Sequence, residues 1–119
     1  MIRVFVYGTL KRGGGNHAYL AGQQFIGAAH TPPGFTLFSL GDYPGMVRAP
    51  DDTAGVAGEL WAVDVCCLLR LDELEGVAEG LYARVAIKLA PPFADEPAAT
   101  YLYLHDLTGK SALGSTWQV

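Results

Sequence analysis

The strongest constraint on the fold is a succession of short, β-branched and aromatic segments, beside only one segment with clear helical spacing. Short apolar or alternating runs bounded by turn residues indicate strands. The segments of this kind are 2–7, 35–40, 46–47, 56–63, 82–89 and 99–104. Because helices do not alternate regularly with them, a doubly wound sheet is not expected. The pattern predicts an α+β fold, a small and mostly antiparallel β-barrel with one or two helices.

Segment 82–89 alternates in polarity, and we expect its alternate residues Ala83, Val85, Ile87 and Leu89 to face the core. The proline-rich residues 91–97 are predicted to form a hairpin loop, since proline cannot pair within a central strand. The tail from Leu107 contains glycine and serine, and part of it is expected to be mobile.

One helix is well indicated between Asp64 and Gly76. Asp64 is a suitable N-cap, and Gly76 can adopt the left-handed conformation that ends a helix. Between them Val65, Leu68 and Leu69 repeat at helical spacing and predict an apolar stripe, which Leu71 and Leu74 could extend. A second, short helix is expected from Asn16 toward Gly22, which completes the predicted set of elements.

Composition limits the classes of protein that this chain can belong to. A length of 119 residues predicts one domain, 1–119, and 50% hydrophobic residues with 17% charged predict a globular chain. The net charge of −4 provides no basic stripe, so no nucleic-acid partner is expected. No run of about 18 apolar residues occurs, so no membrane partner is expected either.

The two cysteines, Cys66 and Cys67, are adjacent and have no other cysteine to pair with. We expect both to be reduced within or near the core helix, as is usual in a reducing compartment. The N-terminal residues lack the pattern of a signal peptide, so a cytoplasmic location is expected.

The loop Tyr7–Gly13 directly follows the apolar run 4–6. A strand that ends in a glycine-containing turn can direct several main-chain N–H groups toward one point, and Gly8 has no side chain to obstruct a ligand. Such a loop can bind a carboxylate or a developing oxyanion. An ordinary turn is the alternative, and in either case Lys11 and Arg12 are expected to be solvated.

Glu75 is the strongest candidate for proton transfer. The helix predicted above places it in the last turn, where the negative end of the helix dipole disfavours a charged carboxylate. Burial would raise its pKa further, which suits a general acid or base near neutral pH. The alternative is a solvated surface glutamate, in a cluster with Asp72, Glu73 and Glu79.

Five blocks of sequence together resemble a known family. They are 7–13 with Asn16-His17, then 41–47, 58–64, 71–76 and 81–84. They are similar, in the same order, to the gamma-glutamylcyclotransferase-like family, and most closely to its gamma-glutamylamine cyclotransferase branch and small bacterial relatives. The resemblance covers most of the chain up to about residue 104, and it implies a mixed barrel with a cavity at one end.

The resemblance also implies a reaction and a site. Glu75 falls on the family's catalytic glutamate, which makes Asp72 and Glu73 residues of the helix surface. The substrate-binding residues implied are Tyr7, Gly8, Thr9, Leu10, Tyr82 and Tyr103. The implied substrate is a small gamma-glutamyl compound that cyclises to 5-oxoproline and releases a free amine, without a metal or any other cofactor.

Several alternatives remain open in the sequence. Tyr101 competes with Tyr103 for a place at the pocket, and segment 43–45 is either a wall of the site or a structural turn. The three histidines are scattered, so no shared metal site is expected. The leaving group could be an amine, an amino acid or another small metabolite. A non-catalytic binding protein of the same fold is the alternative function, and the oligomeric state is undetermined.

Overall fold

The computed structural model describes residues 1–119, which form eight strands and one α-helix. The strands are β1 (Ile2–Val6), β2 (Gln24–His30), β3 (Phe35–Ser39), β4 (Pro44–Arg48), β5 (Ala57–Val63), β6 (Tyr82–Ile87), β7 (Ala98–Tyr103) and β8 (Ser111–Gly114). Helix α1 (Val65–Leu74) connects β5 to β6, and a short 3₁₀ helix, His17–Leu20, lies between β1 and β2. None of the helices is long and apolar enough to cross a membrane.

The strands form two sheets. The larger has the order β2-β5-β1-β7-β6 and the smaller has the order β4-β3-β8. All pairings are antiparallel except that of β1 with β7, so the predicted α+β class with mostly antiparallel strands is confirmed. The expected barrel is not confirmed, because β2 and β6 each pair on one side only and leave the larger sheet with two open edges.

Two strands were not predicted. The first, β2, pairs with β5 through a register shift between Phe25 and Gly27, and its small residues weaken the alternation that indicates a strand. The second, β8, lies in the tail that was expected to be partly mobile, and it pairs with β3 although all four of its residues are exposed. The predicted loop at 91–97 does connect the antiparallel strands β6 and β7.

Helix α1 begins and ends where its sequence predicts. The Asp64 side chain accepts a hydrogen bond of 2.7 Å from the Cys67 N–H, and Gly76 follows the helix with a φ of +64°. Its buried face agrees with the predicted stripe at Leu68 and Leu71 and adds Cys67, which was not part of the stripe. Val65 and Leu69 lie outside that face and are exposed.

The core lies on both faces of the larger sheet. Alternate residues of β1 point in opposite directions: Val4 and Val6 pack in the cluster that contains the buried face of α1. Phe5 and Tyr7 pack in a second cluster, together with Met46 of the smaller sheet. The loop that leaves β1 therefore emerges between the helix on one face and the smaller sheet on the other, where a cavity forms.

Candidate functional site

A cavity of about 240 Å³ lies where the end of β1, the start of β4 and the C-terminal end of α1 meet. Nine of its fourteen lining residues are hydrophobic. The lining consists of Phe5, Val6, Tyr7, Gly8, Thr9, Leu10, Asn16, Tyr43, Pro44, Leu74, Glu75, Leu81, Tyr82 and Tyr101. The tertiary structure thus brings Glu75 and the first loop to the same cavity, although more than sixty positions separate them along the chain.

Glu75 is the only charged residue in the lining. It caps the C-terminal end of α1, where its N–H donates to the Leu71 carbonyl, and the apolar side chains of Leu74 and Leu81 line the cavity beside it. Its side chain is half-buried, and burial raises its pKa from 4.5 to about 7. The expected partial burial and raised pKa of Glu75 are confirmed, so near neutral pH this group can both accept and release a proton.

The loop after β1 presents unpaired main-chain donors. The N–H groups of Gly8, Thr9 and Leu10 donate no hydrogen bond within the chain, although all three residues line the cavity. The carbonyls of Gly8 and Thr9 are paired, and they accept from the N–H groups of Lys11 and Asn16. Asn16 also donates its side-chain amide to the Thr9 hydroxyl at 2.9 Å, so the loop has a defined shape with three free donors.

Gly8 is required by the close approach of β4 rather than by an unusual backbone angle. A Cβ atom at this position would lie 2.7 Å from Cγ and 2.9 Å from Cδ of Pro44. Such distances are well inside van der Waals contact, so any larger residue must displace the proline ring or the loop. The missing side chain therefore allows one wall of the cavity to pack on another.

Buried tyrosine hydroxyls connect the cavity walls. Tyr7 donates to the Tyr101 carbonyl at 2.7 Å and accepts from the Met46 N–H at 3.3 Å. Tyr82 donates to the Pro44 carbonyl at 2.8 Å. Burial raises the pKa of Tyr7 and of Tyr82 far above the ordinary value, so both phenols stay neutral. Their hydroxyls position β4 and β7, while their rings provide part of the lining.

The structure separates the two candidate tyrosines of β7. Tyr101 lines the cavity, whereas Tyr103 does not and instead packs edge-on against Tyr82, with ring centroids 5.4 Å apart. The Tyr101 hydroxyl donates to Asp72 at 2.8 Å, and Arg84 pairs with the same carboxylate at 3.4 Å. Asp72 is therefore half-buried on the helix surface and contacts a residue of the cavity wall, whereas Glu73 is exposed.

Of the remaining candidate residues, some line the cavity and others do not. Tyr43 and Pro44 line the cavity, whereas Gly45 packs beneath the Tyr103 ring. Leu74 and Leu81 form apolar walls of the cavity that were not predicted as site residues. The signals for them were helical spacing at Leu74 and the block 81–84 at Leu81. The chain has no group of three or more His, Cys, Asp or Glu side chains placed to hold a metal ion.

Comparison with known proteins identifies the family. A family model described as "Gamma-glutamyl cyclotransferase, AIG2-like" matches residues 4–118, which is nearly the whole chain. The chain belongs to this gamma-glutamylcyclotransferase family. The resemblance found in the sequence blocks is thereby confirmed.

Individual relatives agree with this membership. A Vibrio cholerae relative is 46% identical over 62% of this chain and 62% of its own length. The rat gamma-glutamylaminecyclotransferase is 36% identical over 75% of this chain and 64% of its own. The solution structure of the Escherichia coli protein YtfP superposes with a TM-score of 0.72 at 33% identity, covering 96% of this chain and 93% of that one. The chain thus spans less than two thirds of the first two relatives.

Glu75 should make the stability of the protein depend on pH. Because its pKa is about 7 when folded and 4.5 ordinarily, the folded chain binds this proton more tightly than the unfolded chain does. This stabilisation is complete below about pH 4.5 and is lost as the pH rises through about 7. At about 1.4 kcal/mol per pKa unit, the loss is at most about 3.5 kcal/mol.

Glu75→Gln is expected to remove this contribution, because the amide cannot ionise. The variant should become more stable relative to the wild type as the pH rises from about 5 to about 8. Urea unfolding of both proteins across that range measures the difference. A difference in unfolding free energy that does not change with pH would contradict the assigned burial of the Glu75 carboxylate.

Proposed function

We propose that this chain is a gamma-glutamylamine cyclotransferase, which converts a gamma-glutamyl amine into 5-oxoproline and a free amine with Glu75 as the general acid and base. One observation carries the proposal. A carboxyl group with a pKa of about 7 lines the same cavity as three unpaired main-chain N–H groups, those of Gly8, Thr9 and Leu10. The first can transfer a proton and the second can bind an anion.

The lining suits a substrate that has a carboxylate and an amide at opposite ends. It contains no lysine or arginine, so an anionic group must rely on the main-chain donors of residues 8–10. These donors can bind the alpha-carboxylate of the gamma-glutamyl group or the oxyanion that forms on the gamma carbon. The apolar walls limit the space, and they favour a folded substrate whose alpha nitrogen lies about 3–3.5 Å from the gamma carbon.

The reaction is an intramolecular acyl transfer. Ionised Glu75 removes a proton from the alpha-ammonium group, and the freed nitrogen lone pair attacks the gamma carbon to form the carbon–nitrogen bond of the ring. The carbonyl electrons move to oxygen, where a main-chain N–H donates to the oxyanion. When the oxyanion collapses, the bond to the leaving nitrogen breaks, and protonated Glu75 returns its proton to that nitrogen. The ring nitrogen then loses its second proton through Glu75 to the released amine, which departs as an ammonium ion, and the neutral lactam remains. The carboxylate is regenerated, and no covalent bond to the protein forms.

The choice of an amine as the leaving group is supported by the rat relative, which is named gamma-glutamylaminecyclotransferase. Gamma-glutamyl amino acids and other gamma-glutamyl metabolites are the rival substrates. The rival function is non-catalytic binding of a gamma-glutamyl or other carboxylate ligand. The raised pKa of Glu75 argues against it, because binding alone requires no group that exchanges protons near neutral pH.

A product assay over a range of pH tests the proposal. Purified protein is incubated with gamma-glutamyl-lysine and with a gamma-glutamyl amino acid, and 5-oxoproline is measured. We expect turnover of the amine, with kcat/KM rising through an apparent pKa of about 7, because Glu75 must be ionised to accept the first proton. Absence of 5-oxoproline with every gamma-glutamyl compound, together with measurable binding of one of them, would favour the binding protein.

A further inference from the structure

Glu59 is a buried carboxylate that the proposed reaction does not use. It lies on β5 opposite Val6, the last residue of β1. The next residues, 7–13, form the donor loop, which contains the unpaired N–H groups of residues 8–10. Only 9% of the residue is exposed. Burial raises its pKa, but hydrogen bonds from Arg12 and Trp61 outweigh burial and hold the pKa below the ordinary value. A charged group is therefore kept inside the protein at the base of the loop.

Arg12 provides most of the contacts that compensate this charge. Its main-chain N–H donates to one carboxylate oxygen of Glu59 at 3.0 Å, and its side-chain Nε donates to the other at 3.1 Å. The guanidinium carbon lies 3.8 Å from the centre of the Phe25 ring, which is stacking distance. Trp61 adds a third hydrogen bond to the carboxylate at 3.2 Å. Arg12 is therefore hydrogen-bonded through both its backbone and its side chain, although the residue is exposed, as expected.

A second contact, made by His17, holds the donor loop at Leu10. A ring nitrogen of His17 lies 2.9 Å from the Leu10 carbonyl, and the His17 ring packs edge-on against Trp61 at 5.4 Å. Leu10 is thus held by His17, which packs on Trp61, and Arg12 is held by Glu59. The unpaired N–H groups of residues 8–10 make no hydrogen bonds within the chain that define their directions, so these contacts contribute to their orientation together with the bonds from Lys11 and Asn16.

We infer that Glu59 and Arg12 are positioning residues, which orient the main-chain donors of residues 8–10 toward the substrate. This inference rests on the proposed function for the identity of the substrate but not for the geometry of the loop. Misplacement by about 1 Å can lower the rate of a reaction by about a hundredfold. Loss of the contact between Arg12 and Glu59 therefore lowers kcat/KM without altering Glu75, the proton-transfer group.

The variant Arg12→Ala tests the inference, because more than half of the Arg12 side chain is exposed and its removal leaves the core intact. We expect kcat/KM to fall by about tenfold to a hundredfold, with the apparent pKa of the pH profile unchanged. Arg12→Lys should retain part of the activity that Arg12→Ala loses, because its ammonium group can still pair with Glu59. It lacks the planar guanidinium that stacks on the Phe25 ring. In ¹⁵N relaxation of the free protein, order parameters at residues 8–10 should fall from about 0.85 toward 0.6.

Arg48→Ala is the matched control. Arg48 also lies over a phenylalanine ring, that of Phe35 at 5.7 Å, but it lies on the smaller sheet and does not line the cavity. Its loss should leave both kcat/KM and the loop unchanged. Order parameters and kcat/KM in Arg12→Ala that match those of Arg48→Ala would overturn the inference. If the wild type forms no 5-oxoproline, the proposed function fails, but the relaxation data still decide whether the contact between Arg12 and Glu59 orders the loop.

Discussion

Replacing Glu75 with glutamine is expected to lower kcat by about a hundredfold to ten-thousandfold, the range over which general acid–base catalysis contributes. Glutamine keeps the size and shape of the side chain, but it can neither accept the proton of the alpha-ammonium group nor return it to the leaving amine. Half-buried Glu75 is the only ionisable carboxyl in the cavity lining, so no neighbouring carboxylate there can replace it. Rates of 5-oxoproline release under saturating gamma-glutamyl-lysine measure the effect.

Glu73→Gln is the matched control for this experiment. Glu73 lies on the same helix only two positions away, but its side chain is exposed and it does not line the cavity. We expect its substitution to leave kcat within about twofold of the wild type, since surface changes rarely affect distant chemistry. Similar rates for Glu75→Gln and the wild type would exclude Glu75 as the proton-transfer group, even if the protein proves to be a cyclotransferase.

The second large effect is expected from Gly8→Ala. The added methyl group would lie 2.7 Å from the Pro44 ring, so either the donor loop or the start of β4 must move. Overpacking of this kind typically costs about 1–3 kcal/mol of stability. Movement of the loop also displaces the main-chain donors of residues 8–10, and we expect kcat/KM to fall by about a hundredfold. Thermal unfolding and steady-state kinetics measure the two effects separately.

Gly15→Ala provides the control, because a methyl group at that position of the same loop would meet no atom within 4 Å. It should change both stability and kcat/KM only slightly. If Gly8→Ala retains the kinetics of Gly15→Ala, then close packing of Pro44 on the loop does not determine the geometry of the donors. A loss of stability without a loss of kcat/KM would separate the structural role of Gly8 from the proposed catalytic one.

The helix shows how much of the fold local sequence determines. Asp64 and Gly76 mark its two ends because capping and left-handed backbone geometry depend on the residue at the position itself. The strands that alternate or are rich in β-branched residues were likewise predictable. By contrast, β8 forms only because β3 lies beside it, and its four exposed residues carry no pattern of burial. The arrangement of the strands in two open sheets, not one barrel, also depends on long-range pairing.

Some residues of the site could likewise be predicted from local sequence, whereas others depend on tertiary packing. The raised pKa of Glu75 follows from burial in the cavity, which tertiary packing decides, and not from its place at the helix end. By contrast, the position of Glu75 at the end of the helix and the glycine-containing loop after β1 could be anticipated. The selection of Tyr101 over Tyr103 could not, because both lie on one strand with the same alternation and only the packing of β7 separates them. Asp72 likewise carries the sequence signature of a surface acid, although it binds the Tyr101 hydroxyl.

The sequence by itself determined the family, the ends of the helix, the candidate carboxyl group and the loop that could face it. These depend on residue identity and on spacing within a few positions. Only the tertiary structure decided that Glu75 and residues 8–10 share one cavity, and that Glu59 on β5 anchors Arg12 beside them. Contacts between residues dozens of positions apart depend on how the sheets and the helix pack, and no local pattern in the sequence records that packing.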